Sequence, residues 1–318
     1  MVEAIDFLKL FGGFVYLLMG GDLLVRGALG LARESRIPPM VVGLTVVAMG
    51  TSAPELMVSS VSALAGFPGI AVGNVIGSNI ANVLLVIGVP VLIHPILCNQ
   101  NGLGKQTSLM VGVTILFITL CAFTPVTFWE GVLLVVLLVC FLIMATRGST
   151  LVPGLDDAEE ELERVLGLPG KGPTIALFIL MGIIGLPLGA DLVVEGAAGL
   201  ASSWGVPEAV IGLSLIALGT SLPELSTTVI AAFHKSSDVA IGNVIGSNLF
   251  NILAIFGFTA MLVDIPVDDQ FMRLDVWVML GSSLALWLFV LLKATITRVW
   301  GLVFLAAYLG YMYTIYQI

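Results

Sequence analysis

The stretch Gly50-Thr51-Ser52-Ala53-Pro54-Glu55 sits inside an apolar run: Met40 to Met49 reads MVVGLTVVAM before it, and Leu56 onward reads LMVSSVSALAG after it. A run of that length crosses a hydrocarbon core of about 30 Å. Near its centre, however, stand a Gly, two hydroxyls, a Pro and a carboxylate. Proline inside a helix deletes one backbone hydrogen bond and pushes the residue before it out of the α region. In lipid such a break survives only where protein or a water-filled cavity covers it, and a carboxylate at that depth is functional by default. The same words return at Gly219-Thr220-Ser221-Leu222-Pro223-Glu224. The sequence therefore predicts two broken helices, each carrying one buried Glu.

The rest of the chain fits that setting. Of 318 residues 58% are hydrophobic and 10% charged, with a mean hydropathy of +1.12, which is the composition of an all-α polytopic membrane protein. Ten apolar segments can be marked off, near 7–32, 38–65, 69–94, 106–124, 127–147, 173–201, 207–233, 239–263, 275–293 and 296–316. Gly12 and Gly13 interrupt Phe7–Leu18 and no small-residue cleavage site follows, so this stretch reads as the first membrane helix and not as a signal peptide. A net charge of −9 argues against nucleic acid, and the glycine spacings suit close helix packing better than a nucleotide loop. Cys98, Cys121 and Cys140 have no paired spacing and read as small hydrophobes.

The halves are copies. Shifted by 169 positions, Gly20–Gly88 falls on Gly189–Gly257 without a gap, and Gly73-Asn74-Val75-Ile76-Gly77-Ser78-Asn79 meets an identical Gly242-Asn243-Val244-Ile245-Gly246-Ser247-Asn248. Five segments per copy is an odd number, so the second copy is expected to enter the membrane upside down. Charge tests this independently. With the N-terminus outside, Arg26, Arg33, Arg36, Lys105, Arg147, Arg164, Lys171, Lys235, Lys293 and Arg298 fall on the cytoplasmic side, and only Lys9 and Arg273 fall outside. The expected organisation is one five-helix repeat over 1–147 with its motif at 43–88, a cytoplasmic linker over 148–172, and an inverted repeat over 173–318 with its motif at 212–257. Both termini are expected outside the cell inner membrane.

Glu55 and Glu224 are the acids expected at the midplane, where inverted-repeat transporters place their sites in discontinuous helices. Thr51, Ser52, Thr220 and Ser221 add hydroxyls. A second break is expected at Gly77-Ser78-Asn79 and at Gly246-Ser247-Asn248, and one turn on come Asn82 and Asn251, on the same helix face as Ser78 and Ser247. All of these donors are oxygens, with no Cys or His among them, and such a set suits a hard cation such as Ca²⁺. Two ionised carboxylates buried without a counter-ion would cost several kcal/mol each. Other polar features read as structural. His94 and His234 are expected at cytoplasmic segment ends as solvated or locally bonded residues, and Asp22 and Asp191 near the ends of segments 1 and 6. The acidic run Asp156–Glu163 reads as a solvated helix start, without an EF-hand's alternation.

GTSAPEL and GTSLPEL, with GNVIGSNIANVLLVIG and GNVIGSNLFNILAIFG, resemble the two α-repeats of the sodium/calcium exchanger family within the cation/calcium antiporter superfamily. The resemblance covers most of residues 7–263. It implies ten helices in an inverted five-plus-five topology, with helices 2, 3, 7 and 8 around the ions and helices 1 and 6 sliding across them. By motif position it implies as ligands Thr51, Ser52, Glu55, Ser78 and Asn82 in the first half and Thr220, Ser221, Glu224, Ser247 and Asn251 in the second, with the carbonyls of Ala48 and Ala217. Asn251 stands where several sodium/calcium exchangers carry Asp, so the site has two formal negative charges instead of three. The function implied is secondary antiport of Ca²⁺ against Na⁺ across the lipid bilayer by alternating access, with no enzyme activity, cofactor or obligatory oligomer. A proton- or K⁺-dependent cation antiporter of the same superfamily is the alternative, and a passive cation channel a more distant one.

Overall fold

The computed structural model describes residues 2–100, 102–147, 167–204 and 217–317. They form α1 (Val2–Glu34), α2 (Pro39–Thr51), α3 (Ala53–Leu64), α4 (Pro68–Ile93), α5 (Leu103–Ala122), α6 (Phe128–Arg147), α7 (Gly172–Ser203), α8 (Ala217–Thr220), α9 (Leu222–Phe233), α10 (Ser237–Leu262), α11 (Phe271–Leu291) and α12 (Arg298–Gln317). Among the described residues eight helices are long and apolar enough to cross a membrane, and the bent pair α2 and α3 makes nine. The tenth expected segment, 207–233, begins outside the described residues together with Gly212, as do the acidic run Asp156–Glu163 and most of the linker 148–172. The chain is an all-helical, polytopic membrane protein.

α1 and α7 are repeat mates yet run antiparallel, packed along their length. At 1.5 Å per residue each approaches 50 Å, so they exceed the hydrocarbon thickness. Their contact is a seam of glycines at seven-residue spacing, Gly13, Gly20 and Gly27 on α1 against Gly182, Gly189 and Gly196 on α7. A Cβ on Gly13 would lie 2.7 Å from the Gly189 carbonyl, and one on Gly196 would lie 2.6 Å from Asp6 O and Leu10 N. Small residues let the two backbones approach where lipid supplies no hydrophobic drive. On the far side Phe7, Phe11, Phe14 and Leu18 of α1 form an exposed stripe suited to acyl chains.

α4 and α10, which carry the identical Gly–Asn motif, occupy the centre, and α10 is buried throughout its apolar span. Both are entered by the same turn. Gly66 and Lys235, 169 positions apart, have φ of +91° and +55°. In each copy the following amide reaches back to a helical carbonyl, Phe67 N–H to Ser62 O at 2.9 Å and Ser236 N–H to Ala231 O at 2.8 Å, which is a left-handed helix stop. Glycine serves that conformation in the first copy, and Lys accepts its cost in the second. Two isolated antiparallel bridges, Ile96 with Ile296 and Val126 with Ile265, are also exchanged by the repeat to within one residue.

Three expectations need correction. The helix does not break at Gly77-Ser78-Asn79 or Gly246-Ser247-Asn248. α4 stays α-helical to Leu84 and opens at Leu85–Ile87, and α10 stays α-helical to Phe250 before a π-helical stretch, Asn251–Phe256. Gly246 is there for approach: its Cβ would lie 2.4 Å from the Leu44 carbonyl and 2.7 Å from the Ala48 methyl, on the neighbouring α2. Asp22 and Asp191 lie well inside α1 and α7, each twelve residues before the helix end, and not near the ends of their segments. His234, at the end of α9, is not locally bonded. Its Nε2 meets Asp22 Oδ1 at 2.8 Å, a contact between α9 and α1. Cys98 and Cys121 are buried and Cys140 is exposed, and burial pushes the Cys98 thiol, in a connecting loop, up to about 12.

Candidate functional site

Ser52 separates α2 from α3 with φ −85° and ψ 7°, and its mate Ser221 separates α8 from α9 with φ −88° and ψ 0°. The axes of α2 and α3 differ by 44°. Pro54 and Pro223 stand in the first turns that follow. Lacking N–H, they deprive the carbonyls of Gly50 and Gly219 of their usual donors. Each break thereby starts a new helix with a Glu in its first turn, where the amide dipoles favour negative charge. Glu55 and Glu224 are both 1% exposed. Neither has a cationic side chain as partner among the described residues, and the two motifs meet through Ser52, three residues before Glu55, which bonds Glu224.

Other hydroxyl and amide groups of the two motifs are buried as well. Neither break serine caps its helix. Ser52 Oγ instead donates to Glu224 Oε1 at 2.9 Å, joining the two copies. Thr51 is fully buried, with Oγ1 3.3 Å from the Ala48 carbonyl and 3.4 Å from Asn243 Oδ1. Asn82 Nδ2 donates to Asn248 Oδ1 at 3.1 Å. Ser78, Ser247 and Asn251 are buried in α4 and α10, one turn apart as their spacing requires. The Ala48 carbonyl also accepts the Ser52 amide at 3.0 Å, so it reaches a cation only while sharing its lone pairs. Ala217 opens α8.

Buried polar atoms without a partner are concentrated in the same motifs. Glu55 Oε2, Glu224 Oε2, Ser221 Oγ, Ser247 Oγ, Asn82 Oδ1, Asn79 Oδ1 and both amide atoms of Asn251 are all sealed from solvent and unbonded. Buried polar groups are paired in nearly all native folds, so a cluster of orphans calls for a guest. Every orphan but one is an oxygen. Among the described residues no three His, Cys, Asp or Glu side chains gather, so the charged donors of the two motifs are the two carboxylates and their other polar groups are neutral. Such a set accepts a hard cation of flexible coordination, Ca²⁺ or Na⁺, and offers nothing to a thiophilic one.

Sequence reasoning passed over the residues that hold the cage in shape. Asn74 Nδ2 donates to Ser59 Oγ at 2.9 Å and to the Glu55 carbonyl at 3.2 Å. In the other copy Asn243 Nδ2 donates to Thr228 Oγ1 at 3.1 Å, and Thr228 Oγ1 donates to the Glu224 carbonyl at 2.7 Å. The pairs 74/59 and 243/228 are 169 positions apart, so the shared offset was a signal that could have found them.

A family model described as "Sodium/calcium exchanger protein" matches residues 6–147 and 174–317. CaxA of Alkalimonas amylolytica, named as an antiporter, is 38% identical over 96% of this chain and 97% of its own. The sodium/calcium exchanger MaX1 of Methanosarcina acetivorans is 30% identical over 99% of both chains. Among solved structures, the sodium-calcium exchanger NCX_Mj soaked with Na⁺ and Sr²⁺ superposes with a TM-score of 0.85 at 29% identity, covering 98% of each chain.

Proposed function

This chain belongs to the sodium/calcium exchanger family, a family of transporters and not of enzymes, and we propose that it exchanges Ca²⁺ for Na⁺ by alternating access at a site between Glu55 and Glu224. The observation that carries this reading is two buried carboxylates, one in each repeat motif, with no cationic partner among the described residues and with unpaired buried oxygens in the same motifs. The proposed ligands are Thr51, Ser52, Glu55, Ser78 and Asn82, with Thr220, Ser221, Glu224, Ser247 and Asn251, and the carbonyls of Ala48 and Ala217. The ions are cargo, and the family implies no cofactor.

Charge supplies the coupling. An empty cage carries two negative charges, and moving it between exposures through a low-dielectric barrier is costly. One Ca²⁺ or several Na⁺ neutralise it and permit the switch. Crossing only when loaded is what makes exchange obligatory. In this reading α2, α3, α4, α8, α9 and α10 hold the ions, while α1 and α7 slide across them. The glycine seam supports that motion, since it brings the two backbones close along the whole contact with small residues at the crossing points. The basic loops support the topology: both termini outside the cell inner membrane, the linker 148–172 in the cytoplasm, and two inverted five-helix repeats over 1–147 and 173–318.

The test is Ca²⁺ uptake into proteoliposomes with Na⁺, K⁺ and H⁺ gradients imposed separately. A Na⁺ gradient should drive uptake and Glu55→Gln should abolish it. Uptake driven by a pH gradient alone would move the protein to proton-coupled antiport, and uptake indifferent to every counter-ion would make it a channel.

A further inference from the structure

Asn82 belongs to the first repeat and Asn248 to the second, and they are joined by the 3.1 Å bond from Asn82 Nδ2 to Asn248 Oδ1. The shift of 169 maps this pair onto Asn251 and Asn79. There the mirror bond is not made. Asn79 gives its Nδ2 to the Val75 carbonyl of its own helix at 2.9 Å, while Asn79 Oδ1 and both amide atoms of Asn251 are buried without partners. All four side chains are 1% exposed, so water does not satisfy them. A second pair shows the same asymmetry. Ser52 Oγ donates to Glu224, whereas in the mirror position Ser221 Oγ and Glu55 Oε2 are unpaired. Two cross-repeat bonds are thus made from the first repeat to the second and left open in return.

An amide that gives its N–H to a fixed acceptor must turn its oxygen the other way. Asn82 Oδ1 is buried and unpaired, so its lone pairs are held ready for a cation. Asn251 has neither amide atom fixed, and its NH₂ can swing toward a cation and repel it. We propose that Asn79 and Asn248 are positioning residues, each orienting the ligand amide of the opposite repeat, and that only one of the two clamps is closed at a time. Asn248 holds Asn82 in the state seen here. Asn79 holds Asn251 in the state that faces the other side. The inference rests on the alternating-access reading and goes beyond it by naming which residues give each facing state its own ligand orientation.

The test uses the full protein reconstituted in one orientation, with apparent Ca²⁺ affinity measured separately at each face under a Na⁺ gradient. Asn248→Ala should weaken affinity by roughly three- to tenfold at one face, the worth of one hydrogen bond. Asn79→Ala should do the same at the opposite face. Isosteric Asn248→Asp and Asn79→Asp keep the acceptor oxygen, so each should restore the unmutated ratio between faces, whatever its added charge does to both together. Should the Ala variants not fold, Asn79→Leu and Asn248→Leu, which withdraw the acceptor while filling the space, serve the same measurement. Variants that shift both faces equally, or leave the ratio untouched, overturn the clamp. Absence of Na⁺-driven Ca²⁺ flux in the unmutated protein would instead overturn the exchange reading beneath it.

Discussion

Asp22 and Asp191 occupy the same place in the two copies, as do Glu55 and Glu224, but only the second pair keeps the same residue types around it. Asp22 is tied on both sides, to His234 at 2.8 Å and to Arg26 at 2.7 Å. Asp191 is exposed and has no partner among the described residues. The counterpart of Arg26 is Glu195, which pairs with Lys9 at 2.9 Å, and the counterpart of His234 is Ala65. Around the glutamates the copies agree in serine break, proline, buried hydroxyls and supporting amides. In the exchange reading proposed above, a duplicated cage serves one cargo from two sides, which keeps both halves alike. The charges on the flanks of α1 and α7 have diverged, as the proposed inverted topology, which sets them in different compartments, would lead one to expect.

The largest expected effect falls on the shared centre. Glu224→Gln removes one of two buried charges and leaves the other facing it with half the compensation for Ca²⁺. Breaking a buried ionic arrangement in this way costs about 3–5 kcal/mol, a hundredfold or more in affinity. Glu55→Gln should lose as much, measured as Ca²⁺-dependent protection against thermal unfolding in detergent. A loss confined to one Glu would show that the two halves are not equivalent partners in the cage.

A steric contrast follows, smaller in size. Gly246 sits where α10 crosses α2, and Gly12 sits on α1 with nothing within 4 Å of an added Cβ. Gly246→Ala forces a methyl into the Leu44 carbonyl and the Ala48 methyl, at a cost of about 1–3 kcal/mol. Gly12→Ala adds helix propensity in open space and should be neutral or stabilising by up to about 1 kcal/mol. Unfolding midpoints of the purified variants separate the two. Equal midpoints would mean that the crossing of α2 and α10 relaxes without cost.

The centre was also the part legible in the sequence. Identity between the copies and the cost of burying Glu55 and Glu224 located the two breaks, and the structure puts both at serines of nearly equal φ and ψ. Period and composition were silent on two other matters. Whether a glycine ends a helix or admits a neighbour depends on what lies across from it, so Gly246 read as a break when it is a crossing point. Hydrogen bonds between distant residues leave no periodic trace, so His234 with Asp22 could not be foreseen. The bonds Asn74–Ser59 and Asn243–Thr228 were hidden for the same reason, although the repeat offset contained them.

The smallest expected effect returns to the divergent flank. Asp22 accepts from two groups on a partly exposed helix face, its side chain 26% exposed beside Arg26 at 32%. An ion pair so placed contributes little, about 0.5–1 kcal/mol, but its loss has a second consequence. Arg26 Nε is already buried without a partner, and Asp22→Asn would take from that guanidinium its ion-pair partner among the described residues. The substitution also weakens the tie from α1 to the end of α9, while the Ser226 Oγ bond to the Leu17 carbonyl, 2.6 Å, remains to hold the same helices. The expected outcome is a modest fall in unfolding midpoint for Asp22→Asn and none for Asp191→Asn. A double-mutant cycle with His234→Gln should return a coupling energy of the same few tenths to 1 kcal/mol. A coupling of zero would assign the contact to packing, and an equal effect at Asp191 would mean that the two flanks had not diverged in energy as they have in contacts.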